Sequence, residues 1–304
     1  MRRLELRTPS VDVETRPDGS FVIRSGDKLE GFGARASDAF MSWVKREPVR
    51  PAMADRRGPG GEWRRVSYGE LGEMTGQLGQ AFLKEGPSQD FPILLLSENR
   101  IEAAAITYAA YRSGIPVAPV TPAYAAANSD PARLRMIVET LRPGLIVVEN
   151  AAASSRALSE AAPQTPVLSI ERAPGARALS ELLACKPGLE LERAEAAIKP
   201  DATAKILFTS GSTGTPKGAI NTHRMISANG QAIQQVWPFL NVEAPVLVDW
   251  LPWNHTFGGN FVLNSVLSSG GELYIDDGRP IAGGIARSVQ NAAEVRPTIH
   301  LNAP

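Results

Sequence analysis

The chain has 304 residues, 43% hydrophobic and 21% charged, with 32 basic side chains matched by 32 acidic ones. That balance excludes a strongly cationic nucleic-acid or membrane-surface protein, and the length allows roughly two domains with a sizeable buried core. A single cysteine, Cys185, excludes an internal disulfide and a cysteine-based metal cluster, and the three histidines lack metal-ligand spacing.

The N-terminal run MRRLELRTPS is basic without an apolar core and does not read as a signal peptide. Aliphatic runs such as 93–96 are too short to span a bilayer. Val11 and Val13, the turn Arg16-Pro17-Asp18-Gly19, then Phe21 and Ile23 predict a β-hairpin. A second hairpin is expected over 51–68, turning at Gly58-Pro59-Gly60-Gly61. Its return strand runs into Ser67-x-x-Glu70, the spacing of a capping box. Leu71, Met74, Leu78, Ala81 and Phe82 then recur at helical spacing.

A strand–helix rhythm follows. Strands are expected at 91–96, 115–120, 145–148 and 167–170, with helices at 100–112, 131–141 and 154–161. Continuous apolar strands between helices predict a parallel sheet covered on both faces. Residues 172–203 read as a connector with a short helix over 178–184. A second rhythm starts at 204: a strand, a Gly-rich loop, a helix over 225–237, a strand at 246–250, a helix over 257–267, a strand at 272–275, a helix over 281–295 and a strand from Thr298. The expected fold is α/β, with two mostly parallel β-sheet subdomains and covering helices. The regions are 1–66 (hairpins), 67–171 (first α/β subdomain), 172–203 (connector) and 204–304 (second α/β subdomain). The stop at Leu301-Asn302-Ala303-Pro304, just after a predicted strand, reads as the end of an N-terminal part of something longer.

Thr209 to Gly218 reads TSGSTGTPKG directly after Ile206-Leu207-Phe208. Three glycines let the backbone approach an anion and aim N–H groups at it. Hydroxyls of Thr209, Ser210, Ser212, Thr213 and Thr215 add donors, and Lys217 adds a mobile positive charge. The natural ligand of such a loop is a polyphosphate. It is not a Walker loop, because Lys217 is flanked by Pro216 and Gly218. Nor is it a dinucleotide fingerprint, because Gly211 and Gly214 lie three apart with no third glycine in place.

The full pattern, TSG(S/T)TGxPKG after an aromatic residue, resembles the signature of the AMP-forming adenylate ligases, which include acyl-CoA synthetases, luciferases and peptide-synthetase adenylation domains. A second stretch, VLVDWLPWNHTFGG over 246–259, resembles that family's P-x-F/W-H-x-x-G motif, with His255 as its histidine and Asn254 as an additional residue. Tyr68-Gly69-Glu70-Leu71, Ser97-Glu98-Asn99 and the 116–122 region carry the likeness through nearly the whole chain. Phe21-Val22-Ile23-Arg24, Thr121-Pro122-Ala123-Tyr124 and LPWNHTFGGN at 251–260 bring it closest to feruloyl-CoA synthases.

The resemblance implies a two-step reaction. A carboxylate attacks the α-phosphorus of ATP to give acyl-AMP and pyrophosphate, and the thiol of coenzyme A then displaces AMP. Thr209, Ser210, Gly211, Ser212, Thr213, Gly214 and Lys217 are implied to hold the nucleotide phosphates, with Mg2+ carried on those phosphates. Lys217, Thr213 and His255 are the implied catalytic residues, and no metal-ligating side chain is assigned. His223 reads as a helix-start residue and Cys185 as incidental. The expected partner is a small aromatic carboxylate of hydroxycinnamate type, with no nucleic acid and no membrane, in the cytoplasm where ATP is found. No Y-G-x-T-E run is present. The adenine, ribose and coenzyme A contacts would therefore lie beyond Pro304, and the 304-residue chain alone is expected to be inactive. Another acyl-CoA synthetase, an adenylation domain or a non-catalytic nucleotide-binding protein are the alternatives.

Overall fold

A computed structural model describes residues 5–57, 61–209 and 216–301. In chain order the elements are β1 (Val11–Thr15), β2 (Phe21–Ser25), α1 (Asp38–Arg46), β3 (Pro51–Asp55), β4 (Arg64–Ser67), α2 (Tyr68–Phe82), β5 (Ile93–Leu96), α3 (Ile101–Ser113), β6 (Val117–Val120), α4 (Ala132–Leu141) and β7 (Leu145–Val148). Then come α5 (Ser155–Ala161), β8 (Val167–Ser169), β9 (Arg177–Ala178), α6 (Leu179–Leu182), α7 (Leu189–Ala197), β10 (Thr203–Thr209), β11 (Lys217–Thr222), α8 (His223–Val236) and β12 (Val246–Asp249). A π-helical turn (Phe257–Leu263), α9 (Asn264–Ser268), β13 (Glu272–Ile275) and α10 (Ile285–Val295) complete the described chain.

The aliphatic strands form the middle of a seven-stranded sheet of order β11-β10-β6-β5-β7-β8-β9, parallel except at β10–β11. Strand β5 shows why its residues are apolar without alternation. Ile93 and Leu95 enter the main core with α2 and α3, while Leu94 and Leu96 enter a second cluster under α4 and α5. Both faces are dry, so every position must be hydrophobic. The capping box at the start of α2 forms as its spacing predicts. Glu70 N donates to Ser67 Oγ (3.2 Å), and Ser67 N donates to the Glu70 carboxylate (2.7 Å).

The expected α/β class with mostly parallel sheets holds, but the strands divide between sheets differently from their chain order. β10 and β11 belong to the first sheet, where β10 pairs with β6. β3 and β4, read as part of the N-terminal hairpin region, join β12 and β13 in a four-stranded sheet of order β12-β13-β3-β4. The cause is pairing between distant segments: Met53 sits beside Leu273 and Ala54 beside Tyr274. Among the described strands β1–β2 stands apart, as the predicted hairpin, with Gly19 at φ +83° in its turn. Of the predicted turn at 58–61, residues 58–60 lie outside the described residues.

An ionic network holds the two large sheets together. Arg64 on β4 donates to Asp55 (2.7 Å) and to Glu102 at the start of α3 (2.6 Å), and Arg100 reaches the same Glu102 at 2.9 Å. Burial would raise the Glu102 carboxyl. The hydrogen bonds and charges of Arg64 and Arg100 outweigh it and bring that group down to about 2.

Smaller differences from the sequence reading have local causes. The connector carries β9, α6 and α7, so it edges the first sheet rather than merely spanning a gap. Thr298 starts no full strand, since Ile299 makes only an isolated parallel bridge to Leu247. Among the described residues no helix is long and apolar enough to cross a membrane.

Candidate active site

The Gly-rich segment connects the two strands of a hairpin. β10 and β11 pair antiparallel with Thr209 opposite Lys217 and Phe208 opposite Gly218. Thr209 Oγ1 donates to the Lys217 carbonyl at 3.5 Å. Ser210, Gly211, Ser212, Thr213 and Gly214 lie outside the described residues. Thr209 and Pro216, which bracket them, line a cleft of about 450 Å³, a volume suited to a small ligand. Lys217 is exposed at the mouth of the hairpin and is not among the cleft-lining residues.

His255 lines the same cleft. Its backbone N–H donates to Pro252 O at 3.1 Å, and its carbonyl accepts from Gly259 N at 2.8 Å. The segment in front of it is clamped from the end of β5. Asn99 Nδ2 donates to Leu251 O at 2.9 Å, and Asn99 Oδ1 accepts from Trp253 N at 3.1 Å. The chain packs so closely that a Cβ at Gly258 would stand 2.4 Å from Pro252 O, and one at Gly259 would stand 2.2 Å from Trp253 O. Only glycine fits either position.

The rest of the cleft mixes aromatic, aliphatic and cationic groups. Phe208, Tyr124, Val120 and Ile137 line it, as do Arg133 and Arg279. The Arg133 guanidinium lies 5.9 Å from the Tyr124 ring centroid. Arg279 forms an ion pair with Glu98. Its backbone sits at φ +77°, a conformation costing a non-glycine residue on the order of 1–3 kcal/mol and found often at functional sites. A neighbouring depression of about 460 Å³ shares Glu98, Asn99 and Arg279. A further cavity of about 470 Å³, between α1 and α8, shares no lining residue with the cleft.

Asp249, Lys205 and His223 are buried ionisable groups. Asp249 closes β12, its Oδ1 accepting from Leu251 N at 2.8 Å while Oδ2 is buried without a partner among the described residues. Burial pushes its carboxyl up to about 7, and the charge of Asp276 adds to the rise. Lys205 on β10 is 1% exposed, and burial pulls its ammonium down to about 7. His223 opens α8 after the N-cap Thr222, so it is a helix-start residue as read, and its Nδ1 accepts from Ala36 N at 3.2 Å. Burial lowers it to about 4, with the charge of Arg35 working in the same direction and that of Asp38 opposing.

The sequence assigns Thr209, Ser210, Gly211, Ser212, Thr213, Gly214, Lys217 and His255. Thr209 and His255 meet in one cleft, Lys217 is not among its lining residues, and 210–214 lie outside the described residues. Sequence reasoning missed the clamp role of Asn99, the cationic walls Arg133 and Arg279, and Lys205. The last had a signal: a lysine inside the otherwise apolar run Ala204 to Phe208.

Comparison with known proteins bears on the fold and the family. A PKS-NRPS hybrid synthetase of Aspergillus fumigatus is 26% identical over 183 residues, covering 60% of this chain and 4% of that protein. Among solved structures, ATP-bound MatB from Rhodopseudomonas palustris superposes with a TM-score of 0.65 at 23% identity, covering 79% of this chain and 45% of MatB. The fatty acyl-adenylate ligase of L. pneumophila, solved with acyl adenylate and pyrophosphate, gives a TM-score of 0.70 at 16% identity, covering 88% of this chain and 44% of the ligase. The chain thus spans less than half the length of these relatives. The sequence pattern of the AMP-binding enzymes matches residues 40–304, and the chain belongs to that family.

Proposed function

We propose that this chain carries the phosphate loop and acid cleft of a ligase that activates a hydroxycinnamate-type carboxylic acid with ATP, through acyl-AMP, to acyl-CoA. One observation carries the reading: Thr209 and Pro216, which bracket the Gly/Ser/Thr segment, line the same cleft as His255. Nucleotide phosphates held by Thr209, Ser210, Gly211, Ser212, Thr213, Gly214 and Lys217 then lie beside the space open to the acid. Donors and a cation there stabilise charge moving onto the departing pyrophosphate. Phe208 and Tyr124 give the cleft aromatic lining suited to an aromatic acid, and Arg133 gives it positive charge for a carboxylate or phosphate. Among the described residues no group of three or more His, Cys, Asp and Glu is placed to hold a metal. Magnesium carried on the oxygens of the triphosphate would supply positive charge there.

The likeness to a medium-chain-fatty-acid–acyl-carrier-protein ligase of Teredinibacter turnerae, 41% identical over 64 residues, supports a second acceptor, a carrier-protein thiol in place of coenzyme A. The test is acid-dependent exchange of pyrophosphate into ATP by the protein expressed from its native gene. Ferulate, coumarate, benzoate, a fatty acid and amino acids are supplied in turn, followed by coenzyme A or a carrier protein. Fastest exchange with the hydroxycinnamates supports the reading. Faster exchange with an amino acid or fatty acid overturns the substrate class, and no exchange with any acid overturns the activity.

A further inference from the structure

Lys205 occupies a place in the sheet where an apolar residue would be expected. Ala204 before it is fully buried, and Lys205 itself is 1% exposed. Its Nζ donates to Gly259 O at 3.2 Å and to Asn260 Oδ1 at 3.0 Å, and lies 5.7 Å from the Tyr111 ring centroid. These partners are two neutral oxygens and an aromatic face. A buried amine with no opposite charge beside it is costly to fold around, and a methionine of similar shape would fill the space without that cost.

Both oxygen partners belong to one unusual element. Phe257–Leu263 winds as a π-helix, a form that occurs mostly as single turns, frequently at functional sites. The lysine grips the carbonyl and side chain of adjacent residues in that turn. The grip extends in two directions. Asn260 Nδ2 donates to Asn221 Oδ1 on β11 (2.9 Å) and to Thr256 Oγ1 (3.3 Å). Gly259 N donates to His255 O at 2.8 Å. The strand that leads into the phosphate loop is thereby tied to the turn that follows His255. Behind His255, the Phe257 and Phe261 rings stand 5.4 Å apart and continue to Trp237 at 5.7 Å.

We propose that Lys205 is a positioning residue that locks Phe257–Leu263 in its π-helical winding and so fixes the register of His255 and the aromatic ladder behind it, the register on which acceptance of the acid depends. The consequence for the acid rests on the ligase reading above; the mechanical role does not. Rewinding to an α-helix would move each later side chain of the turn around the axis, and Phe261 would leave Trp237.

The experiment compares the protein expressed from its native gene with Lys205→Met and with Asn260→Ala, the second removing the acceptor from a half-buried position in case the first does not fold. Hydrogen exchange is followed over 257–268, and acid-dependent pyrophosphate exchange is measured with ferulate. Amides of 257–268 should exchange roughly tenfold faster in both variants, as expected for loss of about one net hydrogen bond. The KM for ferulate should rise by a similar factor while the KM for ATP stays within about twofold. Unchanged exchange over 257–268 in the variants overturns the proposal, as does a fall in kcat with the ferulate KM unmoved. If the parent protein activates no acid, the ligase reading fails and the hydrogen-exchange comparison alone decides the role of Lys205.

Discussion

Asp249→Asn should make the protein more stable, and increasingly so as pH rises. The carboxyl ends β12, 3% exposed, with Oδ2 unpartnered among the described residues and Asp276 nearby. Burial and that neighbour raise it from 3.8 to about 7 in the folded state. The folded protein therefore holds a proton that the unfolded chain releases. The associated stability is fully present below about pH 3.8, declines as pH rises, and is lost once pH has passed about 7. A tenfold difference in proton affinity between the folded and unfolded chain is worth about 1.4 kcal/mol, so the full penalty approaches roughly 4 kcal/mol above neutrality. Asparagine keeps the shape and the oxygen that accepts from Leu251 N, and it carries no charge. Urea unfolding of both proteins at about pH 5 and about pH 8.5 should show the gap widening by roughly 2–3 kcal/mol in favour of the variant. A gap that stays constant, or narrows with pH, would refute the reasoning: the carboxyl would then be solvated or paired in the folded state.

Lys217→Ala should slow pyrophosphate exchange by roughly 10- to 150-fold, the loss of a charged hydrogen bond of about 1.5–3 kcal/mol, with unfolding unchanged because the side chain is exposed. Unaltered exchange kinetics would remove Lys217 from the phosphate site. His223 must stay neutral in the folded state, with its group lowered from 6.5 to about 4, so stability should fall as pH drops through that window, by about 3 kcal/mol in total. His223→Asn should flatten this acid limb, and an equally steep limb in that variant would assign it to other groups. Gly259→Ala brings a Cβ to 2.2 Å from Trp253 O and should cost about 1–3 kcal/mol or more in urea unfolding while displacing His255. A variant with parent-like stability and acid KM would show that the turn can yield.

Some of this architecture was readable from local chemistry. Ile93 to Leu96 and Leu145 to Val148 are aliphatic at every position because both faces of their sheet are covered, and Ser67 with Glu70 announces the start of α2. β11 was missed because Lys217 to Thr222 is an edge strand, exposed over most of its length, with no aliphatic run to mark it. The membership of β3 in the second sheet depends on a partner far along the chain, which no local pattern encodes. The helix after His255 was anticipated, but its π-helical winding was not, because the Gly258-Gly259 pair carries no periodicity. The motif pointed to Thr209 and His255, which share the cleft. Asn99, Arg279 and Lys205 act through backbone geometry and burial, which a sequence shows only once it is folded.

The pairing of β3 with β13 also sets a timetable for making the protein. The buried strand residues Ala52 and Met53 emerge from the ribosome about 220 positions before Leu273, the residue that will lie beside Met53. At ordinary synthesis rates of about 5–20 residues per second, that is a wait of roughly 10–45 s. During it the β5–β9 portion of the first sheet can assemble, whereas the β3–β4 ribbon has only its own two strands, too few for independent stability. The two sheets therefore mature in a fixed order. Termination shortly before β13 leaves the early ribbon with an apolar edge, so the exposed fault appears about 220 residues upstream of the lesion.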